Sequence, residues 1–365
     1  MRILMVVSHL RKGGPVDVIY NICKYLCGVL HLHVDIVTLR PESDNSKLQD
    51  FLDLGVQVMQ LGYSYPMCEL FPHKLRREIE RVARKCNSDI IHCHGYHSVI
   101  ACANIRQYKR IVTLHNRANE DVINSFGPIL GTYMLRRYLK ALRRFDTNVS
   151  VSYSAECLYK ELNLPNVRCV NNGITPTNYP IEPSADKREK LRYALNLPQK
   201  GIIIASSGRI EKEKRYPELI KWFNHISHNS NMHLLILGDG SLLEGCKEIA
   251  ANNPQIIFKG RVSNVSEYLQ CSDFYISNSM SEGMSMAVCE AISCGLFPIL
   301  SNIPSHRDVA VNINGYLFDD LGDIDMNHII SRTVDPNALH QYIRDNFSIE
   351  TMGNGYFELY KELTK

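Results

Sequence analysis

Several things are missing from this sequence, and each absence excludes a class. No apolar run approaches the roughly 18 residues that a membrane-spanning helix requires, and the start, "MRILMVVSHLRKGG", reads as a buried first strand rather than a signal peptide. The twelve cysteines include no CxxC pair. They read as core residues of a cytosolic protein, neither a disulfide framework nor a redox motif. No Gly-Lys-Ser/Thr follows the early glycines Gly13-Gly14, so they do not form a Walker loop. Gly238-x-Gly240 lacks the third glycine of a dinucleotide fingerprint, and the following strand with a ribose-binding acid is missing too. Low-complexity segments and short solenoid repeats are absent.

The chain that remains has 365 residues, 45% hydrophobic and 22% charged. That composition is globular, and the length suits two domains. The net charge of +3 is unevenly spread: residues 1–180 carry +8 and residues 181–365 carry −5. A basic first half suits an anionic partner such as phosphate, acidic lipid or nucleic acid, or is simply a solvated basic face.

Short β-branched runs alternate with helical patterns. "RILMVV", "HVDIVT", "VQVMQL", "DIIHCH", "RIVTLH", "TNVSVS" and "VRCVNN" form one series of strands. "GIIIASSG", "HLLILGDG", "IIFKG", "DFYISNS" and "LFPILS" form a second. Continuous apolar strands alternating with helices imply parallel sheets covered on both faces. Two series imply two doubly wound α/β domains, joined near the proline-rich "TPTNYPIEPSADK" (175–187). In such sheets, ligands bind beyond the carboxyl ends of the strands.

That rule selects the residues to inspect. Gly13 and Gly14 open a helix after the first strand, where backbone can approach an anion or make a tight turn. His92, His94 and His97 surround the end of the fourth strand and His115 ends the fifth. A fourth metal ligand at suitable spacing is lacking, so the histidines read as polar lining, with His115 the best single contact for a substrate. Arg209 and Lys214 follow "GIIIASSG" and suit a diphosphate, although Glu211 and Glu213 interleave as in a charged surface loop. After "DFYISNS", Glu282-Gly283 predicts a turn and a helix beginning near Ser285, which leaves the amides of Gly283 to Met286 free for an anion. Glu290 lies inside that helix, and either carboxylate can accept from a vicinal diol.

Taken together, "GGP", "VTLHN", "VNNGI", "SSGRIEKEK", "LLILGDGSL", the block from "IIFKGRVSNVSEYLQ" to "SMSEGMSMAVCEAISCGLFPILS", and "FSIETMGNGYFELYKEL" resemble the retaining GT-B glycosyltransferases of glycosyltransferase family 4 over nearly the whole chain. The most specific part is Glu282, seven residues, Glu290. The resemblance implies a GT-B fold: two Rossmann-like doubly wound domains facing a central cleft. Residues 1–178 would form the acceptor-side domain and 179–345 the nucleotide-sugar domain, with 346–365 a C-terminal helix packing back toward the first.

The activity so implied is that of a hexosyltransferase. It moves a hexose-type sugar, with retention, from a nucleotide-sugar donor (UDP-linked as first expectation) to a glycan or lipid-linked saccharide in surface polysaccharide biosynthesis. Arg209 and Lys214 match the diphosphate-binding pair, Glu290 the ribose-binding acid and Glu282 the acid near the transferred sugar. Gly283, Met284, Ser285 and Met286 match the loop on sugar and phosphate, and Val262 falls where backbone meets the nucleobase. Gly14 matches the loop near phosphate and acceptor, and His115 the histidine near the sugar; Asp17 and His94 are acceptor-side candidates. No cofactor or metal is expected, and no nucleic-acid partner. The location implied is cytoplasmic, with peripheral contact to an anionic inner membrane face through the basic stretch "YMLRRYLKALRRF" (133–145), or a domain helix with a solvated basic face.

Three departures stand out: Arg215 where members often have glycine after the lysine, Asp17 where many have arginine, and "SNIPSHRDV" without the usual glycines. A GT-B-fold nucleotide-sugar epimerase or phosphorylase, or an inactive sugar-nucleotide-binding protein, are the alternatives.

Overall fold

The computed structural model describes residues 1–178, 181, 184–228 and 230–365, without the side chains of 119–122, 124–126 and 177. Its contacts divide the chain into two compact units, Met1–Gly173 with Ile349–Lys365, and Ile174–Ser348. Each unit is built on one parallel sheet.

In the first unit the strands are β1 (Arg2–Val7), β2 (His33–Thr38), β3 (Gln57–Gln60), β4 (Ile90–His94), β5 (Lys109–Leu114), β6 (Thr147–Ser150) and β7 (Val167–Cys169), in the order β3-β2-β1-β4-β5-β6-β7. Alternate residues fill opposite faces, as the two-residue period of a strand demands. Leu4 and Val6 of β1 join one core layer with Ile91 and Val112, while Ile3 and Met5 join the other with Ile90 and Ile111. The second layer includes Ile349, Met352, Tyr356 and Tyr360, from the C-terminal helix Ile349–Thr364. That helix lies close against the helix Gly14–Gly28: a Cβ on Gly353 would stand 2.0 Å from the ring of Tyr25, so only glycine fits. The Tyr25 hydroxyl donates to Asn354 Oδ1 at 2.7 Å beside this contact.

In the second unit the strands are β8 (Ile202–Ser207), β9 (Met232–Leu237), β10 (Ile256–Gly260), β11 (Phe274–Ser277), β12 (Phe297–Ser301) and β13 (Tyr316–Phe318), ordered β10-β9-β8-β11-β12-β13. Strand β13 was not foreseen. It is a three-residue edge strand with two half-buried positions, too short to carry a pattern. In both sheets the strand order reverses once, between β1 and β4 and between β8 and β11. Doubly wound sheets open a ligand crevice at that point.

The basic stretch 133–145 lies in and just beyond the helix Ala118–Leu142, which is kinked at Gly127 (φ 74°). Met134, Tyr138 and Leu142 are buried and Leu135 and Leu139 pack against the same core. The apolar face that could have met a membrane is therefore turned to the protein's own sheet, and what it offers to solvent is the basic side. Exposed apolar side chains begin one turn earlier, at Ile129, Leu130 and Tyr133. Among the described residues no helix is long and apolar enough to cross a membrane.

Candidate functional site

The loop after β8 begins at Gly208 and carries Arg209, an exposed side chain that pairs with Glu213 at 3.3 Å. A short turn of 3₁₀ helix, Lys212–Lys214, follows. Its last residue sends the Lys214 ammonium inward to Glu282, which lies just past β11. The two loops are stitched at several points. The amide of Met280 donates to the Glu213 carbonyl at 2.8 Å. The Ser279 hydroxyl donates to Glu282 Oε1 at 2.7 Å. Burial alone would raise the Glu282 carboxyl, but the Lys214 charge and its hydrogen bond, with the Ser279 hydroxyl, outweigh it and hold Glu282 below the ordinary carboxylate value.

Arg215, the departure from the family's glycine, adopts φ 50°, in the left-handed region that glycine favours. Its guanidinium compensates by donating to Asn278 O at 2.9 Å and Oδ1 at 2.8 Å, tying the loop after β8 to the end of β11. The Gly238-x-Gly240 turn serves the same loop. A Cβ on Gly238 would stand 1.8 Å from the Gly208 carbonyl oxygen, and one on Gly240 2.4 Å from that of Ile210. These glycines are explained by backbone packing at the strand ends. Glu211 completes the brace, accepting from the amide and hydroxyl of Ser241 at 3.0 and 2.6 Å, bonds that lower its carboxyl.

After Glu282 the chain passes Gly283, Met284 and Ser285 into the helix Met286–Ser293. Ser285 stands at its N-cap without a side-chain hydrogen bond to the helix amides. The first amides of a helix have no partner within it, and together with the helix dipole they favour an anion. Glu290 sits inside the helix, half-buried; burial raises Cys289, Cys294 and Tyr275, and the Glu290 charge adds to it. Tyr275 in turn bonds the backbone and hydroxyl of Ser207 at the end of β8. Val262 lies beyond β10, two strands from β8 in the sheet order.

The first unit holds the remaining candidates. Gly13 and Gly14 follow β1, and among the described residues no heavy atom beyond the local backbone and chain neighbours lies within 4 Å of a Cβ on either. Packing does not require glycine there, and the space is left open at a helix N-terminus. Asp17, in the first turn of that helix, is engaged by Lys47 at 2.6 Å.

At the end of β4, His94 Nδ1 lies 3.0 Å from Nε2 of His115, which follows β5. His92, two residues earlier, is locked from both sides, by the Tyr360 hydroxyl at 2.7 Å and Thr113 Oγ1 at 2.8 Å. Burial lowers all three rings, His92 to about 3 and His115 to about 4, with His94 pushed down further by its two neighbours. The pair His94–His115 is therefore neutral and shares one hydrogen. Of its outer nitrogens, His94 Nε2 and His115 Nδ1, one is a donor and the other an acceptor. Both are buried without a protein partner. Among the described residues no group of three His, Cys, Asp or Glu side chains is placed to hold a metal ion.

The structure brings Lys214 directly to Glu282 and His94 directly to His115. Arg209 and the Gly283–Met286 turn flank the ion pair on the same two loops. One residue escaped the sequence reading. His306, on the helix Pro304–Ala310 after β12, is fully buried and acts electrostatically on Glu282. The strand-end rule points to its segment, "SNIPSHRDV" from the end of β12, and that position is the signal in the sequence.

Two family models match the chain: "Glycosyltransferase Family 4" over residues 12–178 and "Glycosyl transferases group 1" over residues 187–346. Among curated proteins, the chain is 24% identical over 313 residues to an O-antigen biosynthesis glycosyltransferase, WclY, of Escherichia coli, covering 83% of this chain and 81% of that one. It is 26% identical over 168 residues to the UDP-Gal:alpha-D-GlcNAc-diphosphoundecaprenol alpha-1,3-galactosyltransferase of the same species, covering 44% and 42%. Among solved structures, the Anabaena protein Alr3699/HepE in complex with UDP and glucose superposes with a TM-score of 0.81 at 16% identity, over 99% of each chain.

Proposed function

We propose that this chain, a GT-B glycosyltransferase, moves a hexose-type sugar with retention of anomeric configuration from a UDP-linked donor to a glycan or lipid-linked saccharide during surface polysaccharide biosynthesis. The observation that carries the reading is the Lys214–Glu282 pair beside Arg209 and the uncapped helix N-terminus at Met286, at the carboxyl ends of β8 and β11. It supplies cations and amides for a diphosphate and a carboxylate for sugar hydroxyls in one place.

In the reaction, the bond from the anomeric carbon to the diphosphate oxygen breaks as the acceptor hydroxyl oxygen bonds to that carbon from the same face. The hydroxyl proton passes to the departing diphosphate. Arg209, Lys214 and the amides of Gly283 to Met286 neutralise the charge that develops on the leaving group, the role otherwise given to a metal. Glu282 and that loop hold the sugar, Glu290 the ribose hydroxyls and Val262 the base. The residues of the first unit keep the roles that the resemblance gives them: Gly14 toward phosphate and acceptor, His115 as a neutral hydrogen-bonding group toward the sugar, Asp17 and His94 toward the acceptor. In this reading Glu282 holds the sugar and is not the nucleophile; a trapped glycosyl–Glu282 adduct would overturn it.

The diphosphoundecaprenol-linked acceptor in the name of one relative supports a lipid-diphosphate-linked acceptor here, and the proposal includes peripheral contact with an anionic membrane. For the latter, exposed Ile129, Leu130 and Tyr133 lie on the same helix as Arg136, Arg137 and Lys140.

The test is a screen of UDP-, GDP- and ADP-linked hexoses by thermal shift, followed by reaction of the best ligand with a polyprenyl-diphosphate-linked saccharide. The expected result is stabilisation by a UDP-hexose, release of UDP only with acceptor present, and an axial linkage from an axial donor by NMR. Epimerised sugar nucleotide in the absence of acceptor would overturn the reading.

A further inference from the structure

His306 has no part in the assignments above, yet it closes a chain of hydrogen bonds that ends on Glu282. Its Nδ1 lies 2.9 Å from the carbonyl oxygen of Ser301, which can only accept, so Nδ1 carries a proton. The Ser301 hydroxyl donates to the Ser279 carbonyl at 2.7 Å, and the Ser279 hydroxyl donates to Glu282 Oε1 at 2.7 Å. Burial keeps the imidazole neutral, its value pushed down to about 4. With the tautomer fixed by Ser301, Nε2 is a bare lone pair, buried and without a hydrogen-bond partner. The hydrogen bonds through Ser301 and Ser279 link the ring to the Glu282 carboxylate, and the charges of Glu282 and Lys214 act on it in opposite senses.

The site thus holds two acceptors, the Glu282 carboxylate, which the Lys214 ammonium engages, and His306 Nε2, which has no hydrogen-bond partner. A diphosphate beside Arg209 competes for that ammonium. Once Lys214 turns to it, a desolvated corner is left with two acceptors and no donor, a state that is costly until donors arrive. Adjacent hydroxyls of a hexose provide two donors at suitable spacing. Resting on the nucleotide-sugar reading, we propose that His306 is a specificity-determining residue which, with Glu282, accepts hydroxyl hydrogen bonds from the transferred sugar after the diphosphate has drawn Lys214 away. A site that expects such a hydroxyl rejects a sugar lacking it more strongly than an apolar pocket could.

The experiment measures binding of UDP, UDP-glucose, UDP-galactose and UDP-N-acetylglucosamine to the full chain by titration calorimetry, for the natural sequence, His306→Leu and His306→Gln. Glutamine keeps an acceptor near the Nε2 position; leucine keeps only the bulk. His306→Leu is expected to weaken the best-bound UDP-sugar about tenfold while UDP itself changes less than about twofold, and His306→Gln is expected to stay within about threefold of the natural chain on both. UDP binding also reports that each variant is folded. A leucine variant that binds the UDP-sugar unchanged, a proportional loss of UDP and UDP-sugar, or a glutamine variant as impaired as leucine overturns the role of His306 alone. Failure of the natural chain to bind any of the four ligands overturns the donor reading and this inference with it.

Discussion

Lys214 and Glu282, 68 residues apart in the chain, meet as an ion pair between the loops that follow β8 and β11. Both side chains are largely buried, so the pair has removed two charges from water and neither can lose its partner cheaply.

Breaking one side of this pair should cost more than removing both. Glu282→Gln leaves Lys214 without its counter-charge and is expected to destabilise the chain by about 2 to 4 kcal/mol, with Lys214→Met/Glu282→Gln recovering part of the loss. Urea denaturation of the two single variants and the double variant measures the coupling; strictly additive losses would contradict it. Because the folded carboxyl is depressed, its contribution is present above the ordinary value of 4.5 and disappears as pH falls through the folded value. The gap between natural chain and Glu282→Gln should therefore close in acid.

The buried histidines set a second pH dependence, at higher pH. His92, His115 and His306 titrate at about 3, 4 and 4 in the folded chain against 6.5 when unfolded. Between those values the unfolded state binds more protons, so stability is complete above pH 6.5 and declines on acidification by up to about 1.4 kcal/mol per pH unit for each group. Denaturation midpoints from pH 7 to 5 should fall, and replacing His115 by Asn should shallow the slope. A slope indifferent to that change would place the titration elsewhere.

Glu290→Ala is expected to weaken UDP binding at least about tenfold, the scale of losing a charged acceptor for two hydroxyl donors. Calorimetry with UDP alone decides it, and an unchanged affinity removes Glu290 from the ribose.

Arg215 offers a backbone test. Arg215→Gly loses the two bonds to Asn278 but relieves φ 50°; Arg215→Ala loses the bonds and keeps the strain. Alanine should be the less stable of the two by about 1 kcal/mol. Equal stabilities would mean that the turn relaxes on substitution.

Membrane contact is tested by co-sedimentation with vesicles of phosphatidylglycerol. The expected binding at low salt should fall in Ile129→Ser/Leu130→Ser, with UDP affinity retained. Equal pelleting of both chains would remove these residues from the contact.

How much of this was legible in the sequence depends on how local the cause is. Twelve strands could be read because buried parallel strands are written as continuous β-branched runs, and β13 could not because three edge residues carry no such run. The turn and helix at Glu282–Met286 were likewise visible in "SEGMSM", where glycine and small residues precede an apolar helix. Long-range partners were not visible. That Asp17 is spent on Lys47, or that Gly238 is required by the Gly208 carbonyl, depends on chain segments brought together only by folding. His306 illustrates the same limit: its interest arises from hydrogen bonds that link it through Ser301 and Ser279 to Glu282.

The helix Ile349–Thr364 has a consequence in time as well as in space. On a ribosome the whole second unit is synthesised while the first, begun much earlier, still lacks Met352, Tyr356 and Tyr360 from one layer of its core. Translation proceeds at about 5 to 20 residues per second. The first unit therefore waits for many seconds as an unfinished fold, with the cavity for Tyr360 beside His92 unfilled. A released chain ending at Ser348 should be open to protease in its first unit and resistant in its second, an inversion of the usual order in which what is made first is finished first.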